Sequence, residues 1–205
     1  DYGPYGFLDA YQPGFICNHS DYQGRYAFDQ QPDIGLFNLS CLAQALLPLI
    51  DKEPNQAAKL AKLELENYQA IFIQYYSEMM RQKLGLDEAY KEDKQLLEEL
   101  LNLMQQDRVD YTIFFRGLAD FDSTDLNNNA AIRDIFMQRE EFDQWAEKYQ
   151  QRLKLESVND AQRSSKMKQV NPKYILRNYL AEIAIKKAEQ EKDYSEIDRL
   201  FNLLQ

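Results

Sequence analysis

The sequence predicts a mainly α-helical protein, and three observations carry that expectation. Apolar residues recur at steps of three and four from residue 34 to the end. No stretch after residue 35 alternates as a half-buried strand would. Five of the seven glycines (Gly3, Gly6, Gly14, Gly24 and Gly35) and three of the six prolines fall in the first 35 residues, where they punctuate the chain. Residues 1–35 therefore read as a structured loop of the kind that holds function on a rigid scaffold. Residues 36–205 read as one compact all-helical body, with no Gly- or Ser-rich linker to divide it.

Taken in order, IGLFNLSCLAQALLPLI (34–50) is apolar nearly all round, as a buried helix should be, and Cys41 within it is expected to be a core thiol. Pro48 implies an end or a kink nearby. After the polar turn DKEPNQ, with Pro54 suited to a first helical position, Ala61, Leu65, Tyr68, Phe72, Tyr75 and Met79 predict one long amphipathic helix. Gly85 is its C-terminal cap. Leu97, Leu100, Leu101 and Met104 mark a shorter helix, and Tyr111, Phe114, Phe115 and Leu118 another. The polar break DFDSTDLNNN follows, from Asp120 to Asn129. Phe142, Trp145, Ala146, Tyr149 and Leu153 predict the next helix, Tyr174 to Glu191 one after Asn171-Pro172, and Ile197, Leu200, Phe201 and Leu204 a last one.

Charge and cysteine content exclude several functions. With 34 acidic against 24 basic side chains the formal charge is −10, which disfavours binding to a nucleic-acid backbone. No stretch reads as a membrane span of ~20 apolar residues, and nothing at the start reads as a signal peptide, so neither a membrane nor a nucleic-acid partner is expected. Two cysteines, Cys17 and Cys41, make no disulfide scaffold, and one histidine with no CxxC spacing makes no zinc site.

The candidate chemistry lies at the start. In Asp1-Tyr2-Gly3-Pro4-Tyr5-Gly6-Phe7 a carboxylate is followed closely by two glycines, a backbone able to approach a ligand. A hard cation takes carboxylate and phosphate oxygens, and protein kinases use an Asp-Phe-Gly for this. Taken alone, Asp-Tyr-Gly is as well read as a structural turn. His19, the only histidine, has no nucleophile in a recognisable setting beside it and reads as a loop hydrogen-bonding residue. Asp120, Asp122 and Asp125 suggest calcium, but Thr124, Asp125 and Ala131 stand where an EF-hand needs a ligand, a glycine and a glutamate. A solvated loop with an N-cap fits better. Arg25 and Tyr26 read either as a structural anchor, with the arginine in an ion pair, or as a substrate-facing patch; Arg177 reads as a half-buried arginine tying helices together.

The run DYGPYGFLDAYQPGFICNHSDYQGRYAFDQQPDIGLFNLSCLAQAL resembles the SelO (YdiU) family of kinase-like protein adenylyltransferases, and NPKYILRNYLAEIAIKKAEQEKDYSEIDRL resembles that family's C-terminal helical region. Tyr5, Gln12 and Phe37 depart from the family pattern, which would have Phe, Asp and Trp there. The resemblance implies the C-terminal lobe of a protein-kinase-like fold with a helical extension, preceded by the Gly/Pro-rich loop. It implies transfer of AMP from ATP to Ser, Thr or Tyr hydroxyls of target proteins, with Mg²⁺ or Mn²⁺. Asp1 matches the family's metal- and nucleotide-binding aspartate.

The same resemblance places the nucleotide-clamping lobe, the catalytic-base Asp and a metal-binding Asn upstream of Asp1, so this chain is expected to be a C-terminal fragment, inactive alone and holding no catalytic base. It makes Cys17 a redox candidate that pairs with a cysteine or selenocysteine near the family's C-terminus; none occurs up to Gln205, so a reduced loop thiol is expected. The compartment implied is the cytoplasm in a bacterium and the mitochondrion in a eukaryote. Two other classes stay open: a non-catalytic acidic helical interaction module, and a kinase-like fold that binds nucleotide without transferring it.

Overall fold

The computed structural model describes residues 6–204. They form ten α-helices: α1 (Gln31–Ile50), α2 (Pro54–Glu66), α3 (Tyr68–Leu84), α4 (Asp93–Gln106), α5 (Tyr111–Leu118), α6 (Ala130–Arg133), α7 (Arg139–Leu153), α8 (Asp160–Val170), α9 (Asn178–Lys186) and α10 (Ser195–Leu204). Short 3₁₀ turns cover Phe28–Gln30 and Leu126–Asn129, and a π-turn covers Lys187–Glu191. The only extended pairing among the described residues is a single antiparallel bridge, Ala10 with Asp110. The expected mainly helical class is what the chain adopts.

The chain divides into two compact units, Pro13–Met79 and the remainder, and one boundary falls inside α3. The sequence boundary at residue 35 coincides with neither limit.

In the larger unit the core is aromatic. Phe114, Phe115, Phe121, Phe136, Phe142, Trp145 and Tyr149 are buried together with Leu84, Leu100, Met104 and Leu118. Trp145 stacks on Tyr149 at 5.0 Å between ring centroids, and Phe121 meets Tyr149 edge-on at the same separation. The Trp145 indole donates to Leu96 O at 2.9 Å, which satisfies its one polar atom. The Tyr149 hydroxyl donates to Leu84 O at 2.6 Å, capping a carbonyl that the end of α3 would otherwise leave unpaired.

Burial raises the Tyr149 phenol above its ordinary 10.0. The folded chain therefore keeps a proton that the unfolded chain releases above pH 10. This contribution is complete below pH 10 and falls as pH rises beyond it. Lys83, lowered from 10.5 by burial, works in the opposite sense over the range just below 10.5, so the test compares variants. Tyr149→Phe should cost about 1–3 kcal/mol at neutral pH through the stranded Leu84 carbonyl. It should also lose stability less steeply than wild type in denaturation series above pH 10. Parallel alkaline curves would refute the assignment.

Several expectations need correction. α1 was expected to be a buried helix, and it contains no buried residue: Phe37, Leu42 and Leu49 are exposed, as is Cys41, which is therefore not a core thiol. Periodicity measures how apolar a helix is, not what covers it. The expected absence of any membrane-span-like stretch also fails, since Phe28–Ile50 is long and apolar enough by length and composition alone. No charge falls between Asp33 and Asp51, and Asn38, Ser40 and Gln44 do not offset the surrounding leucines.

The long helix expected up to Leu84 is interrupted at Asn67. Its amide group reaches back to Leu63 O at 3.4 Å, while its backbone N–H turns to Glu64 O at 3.2 Å. An asparagine side chain competing for the i−4 carbonyl is the physical cause. The helix expected from Tyr174 begins only at Asn178, and its last turn, 187–191, widens to a π-turn that ends on Lys192 at φ +56°. Helix α8 has no counterpart in the sequence reading, because Arg163 and Met167 are its only buried residues.

Gly85 caps α3 as expected, with φ +70°. Leu86 N–H reaches Arg81 O at 2.9 Å and Gly85 N–H reaches Gln82 O at 3.1 Å, the paired bonds of a left-handed helix stop.

Candidate functional site

Asp1, the residue with the sharpest chemical expectation, lies outside the described residues, as do the glycine of its triplet and Tyr5. The structure does describe what holds the segment immediately after it. Phe7 and Asn178 form a two-way clasp: Phe7 N–H donates to Asn178 Oδ1 at 3.0 Å, and Asn178 Nδ2 donates to Phe7 O at 3.1 Å. Two and four residues on, Asp9 O accepts Tyr111 N–H at 3.0 Å and Tyr11 N–H donates to Val109 O at 2.8 Å. These bonds make the single bridge that lays residues 9–11 along residues 109–111. Tyr11 and Tyr111 stack beside it at 5.7 Å.

Arg177 completes the anchor. Its guanidinium donates to Asp9 Oδ1 at 2.7 Å and forks onto both oxygens of Asp110, one of them at 3.1 Å. Its side chain is only 15% exposed, while Asp9 and Asp110 are 42% and 24% exposed. The bonds from Asp110 and then Asp9 hold the arginine above its ordinary value, so it is a fixed cation. Asp110 also accepts Ile113 N–H at 2.9 Å as the N-cap of α5. One carboxylate thus starts a helix and receives the arginine.

Arg177 is a half-buried tie, as the sequence suggested, but what it ties is the N-terminal segment. The Asp110 cap was open to sequence reading, since an Asp precedes the apolar run Tyr111–Leu118. The Asn178 clasp and the Asp9 partner left no sequence signal, because each spans about 170 positions.

The loop after this segment is closed at its base. Asp29 N–H reaches Pro13 O at 2.9 Å and Phe28 N–H reaches Phe15 O at 2.9 Å. The Asp21 carboxylate accepts the N–H groups of Arg25 and Tyr26 at 2.9 and 2.7 Å, and Gly24 takes φ +70° between them. Cys17 sits half-buried in this loop as a free thiol. His19 is exposed and makes no hydrogen bond among the described residues; the loop bond goes to Asn18, whose Oδ1 accepts Ser20 N–H at 3.0 Å. The ion pair considered for Arg25 is replaced by stacking: its guanidinium lies 4.7 Å from the Phe37 ring centroid and 5.6 Å from that of Tyr26.

In the acidic loop 120–129 Asp120 pairs with Lys168 and accepts the Ser164 hydroxyl of α8, while Asp122 and Asp125 spend their carboxylates within the loop. Asp122 accepts Thr124 N–H and hydroxyl, Asp125 N–H and Asn128 Nδ2, at 2.6–3.0 Å. These bonds, led by the Thr124 hydroxyl, hold its carboxyl far below the usual range. Asp125 caps the 3₁₀ turn through Asn127 N–H. This is the solvated, capped loop expected. No group of three or more His, Cys, Asp or Glu among the described residues could hold a metal ion. The described residues do not by themselves fit a complete Mg²⁺ or Mn²⁺ centre.

A family described as protein adenylyltransferase SelO matches residues 1–205, the whole chain. The chain belongs to the SelO family. SelO-family relatives named protein nucleotidyltransferase YdiU are similar along all of it: 53% identical over 206 residues in Thioalkalivibrio sulfidiphilus, 50% over 204 in Myxococcus xanthus and 52% over 204 in Aliivibrio salmonicida. The chain spans 40–41% of the length of those relatives.

Proposed function

We propose that the protein to which this chain belongs moves AMP from ATP to Ser, Thr or Tyr hydroxyls of target proteins, on a kinase-like fold whose C-terminal lobe and helical extension are this chain. The observation that carries the reading is similarity to nucleotidyltransferases over every residue of the chain. The target hydroxyl oxygen attacks the α-phosphorus of ATP, an O–P ester forms, the bond to the bridging oxygen breaks and pyrophosphate leaves. The hydroxyl proton passes to a base supplied from outside this chain. A divalent cation, Mg²⁺ or Mn²⁺, would offset charge on the triphosphate. Asp1 is the one carboxylate of this chain assigned to it, and the other ligands come from elsewhere in the protein.

Two features support reading the 205 residues as a part that is inactive alone. They span about two fifths of the relatives' length. The apolar side chains of Leu42 and Leu49 on α1, Leu63 on α2 and Ile71 and Ile73 on α3 are also exposed, a surface fitted to be covered by the rest of the protein.

The test is labelling by the full-length protein with ATP radiolabelled at the α-phosphate and Mg²⁺ or Mn²⁺. Wild type is expected to incorporate label into protein, Asp1→Ala to lose it, and the 205-residue chain to give none. Equal labelling by wild type and Asp1→Ala removes Asp1 from the mechanism. Nucleotide binding without label, across metals and reductants, favours a nucleotide-binding protein without transfer.

A further inference from the structure

We propose that Arg177 and Asn178, at the entry to α9, are positioning residues for the nucleotide site: together they clamp residues 7–11 and so fix the direction in which the chain carries Asp1. The proposal rests on the functional reading above for what Asp1 does, and on geometry for the clamp. The segment 7–11 could have been held by its neighbours in sequence. It is held instead by distant partners, residues 109–111 through the bridge and, about 170 positions away, Asn178 on Phe7 and Arg177 on Asp9.

The chemistry of the clamp is selective. A guanidinium offers five donors in a rigid fork, so one arginine can satisfy two carboxylates at once. Asp110 is fixed independently as the cap of α5, so Arg177 transfers the position of a helix terminus to Asp9. The arginine is mostly withdrawn from water while both carboxylates stay part-exposed, so this bond is held more rigidly than a surface ion pair. Asp1 is six residues before Phe7, a reach of at most about 20 Å. Release of the clamp removes these long-range bonds from Phe7 and Asp9.

The test uses the full-length protein with Asp9→Asn, Asn178→Ala and the two combined. Asp9→Asn leaves the Arg177–Asp110 pair and the α5 cap intact while cutting the charged bond to the segment. Arg133→Met, which breaks an ion pair with Asp143 instead, is the control for general loss of stability. Two readouts are needed. Amide hydrogen exchange at Phe7 and Tyr11 should accelerate about tenfold or more in the double variant, with the core of α7 unchanged. The KM for ATP should rise and kcat should fall, together on the order of 10- to 100-fold in kcat/KM, with folding intact. Arg177→Lys, which reaches one carboxylate, should be intermediate between wild type and Arg177→Met.

A structural role alone would lower the active fraction, and so apparent kcat, with KM unchanged, as expected for Arg133→Met; that result at Asp9 and Asn178 overturns the proposal. Unchanged exchange at Tyr11 overturns the clamp itself. Accelerated exchange with unchanged kinetics overturns its role in positioning. A wild-type protein that transfers no AMP would defeat the functional reading and the positioning role together, and exchange at Tyr11 would still decide the clamp.

Discussion

Gly85→Ala should lower the melting temperature by roughly 5–15 °C, the consequence of about 2–5 kcal/mol in a chain of this size. Two costs add. At φ +70° an L-residue is strained by about 1–2 kcal/mol. The new Cβ would also lie 2.6 Å from Arg163 Cγ and 2.6 Å from Met167 Sδ, both from residues of α8 that are almost fully buried. The Arg163 head cannot swing aside, since it is bonded to Asp160 Oδ1 and Phe121 O. Crowding of this kind costs about 1–3 kcal/mol. Gly85→Asn separates the two, because asparagine tolerates the left-handed region but carries the same Cβ. It should remain nearly as damaging as alanine, and an asparagine variant within ~1 kcal/mol of wild type would sink the steric half of the argument.

Arg152→Ala is expected to cost about 3–5 kcal/mol, read as a loss of folded protein in denaturant titration. Arg152 is 6% exposed and pairs with Asp93 Oδ1 and, at 2.7 Å, with Glu156 Oε1; Nη2 donates to Glu88 O at 2.7 Å. The Tyr90 ring covers the guanidinium at 4.4 Å. The carboxylates in turn hold the connection into α4. Glu156 accepts Asp87 N–H at 3.2 Å, and Asp93 accepts Tyr90 N–H at 3.0 Å. Without the arginine, two carboxylates whose side chains are 8% and 2% exposed face each other with no cation between them. Adding Asp93→Asn to Arg152→Ala removes one of those charges and should recover at least ~1 kcal/mol. Failure to recover any would mean that the lost packing of the arginine stem, not the stranded charge, sets the cost.

Both effects come from side chains whose importance is invisible in one dimension, and the same holds for the clamp on the N-terminal segment. Periodicity identified the apolar faces of α4, α5 and α7 correctly, because each packs its i, i+3, i+4 stripe into the aromatic core; on α10 only Leu200 of the stripe is buried, and Ile197, Phe201 and Leu204 are exposed. It failed on α1, where an all-round apolar pattern was read as burial, and on α8, where two buried contacts leave no stripe. The break at Asn67 went unread because it depends on one amide choosing a backbone carbonyl over solvent.

For the candidate site, the amino-acid order by itself determined the family, through a run of about 45 residues beginning at Asp-Tyr-Gly. It also determined the helical class and the left-handed stop at Gly85. Only the tertiary structure decided that Arg177 and Asn178 hold residues 7–11, that Cys41 and α1 face outward, and that Asp122 and Asp125 are saturated by hydrogen bonds of their own loop. The reason is the range of the forces involved. Backbone preferences and helical spacing act within about four residues and are written locally. Which buried charge meets which carboxylate, and which apolar face finds cover, depends on groups that only folding brings together.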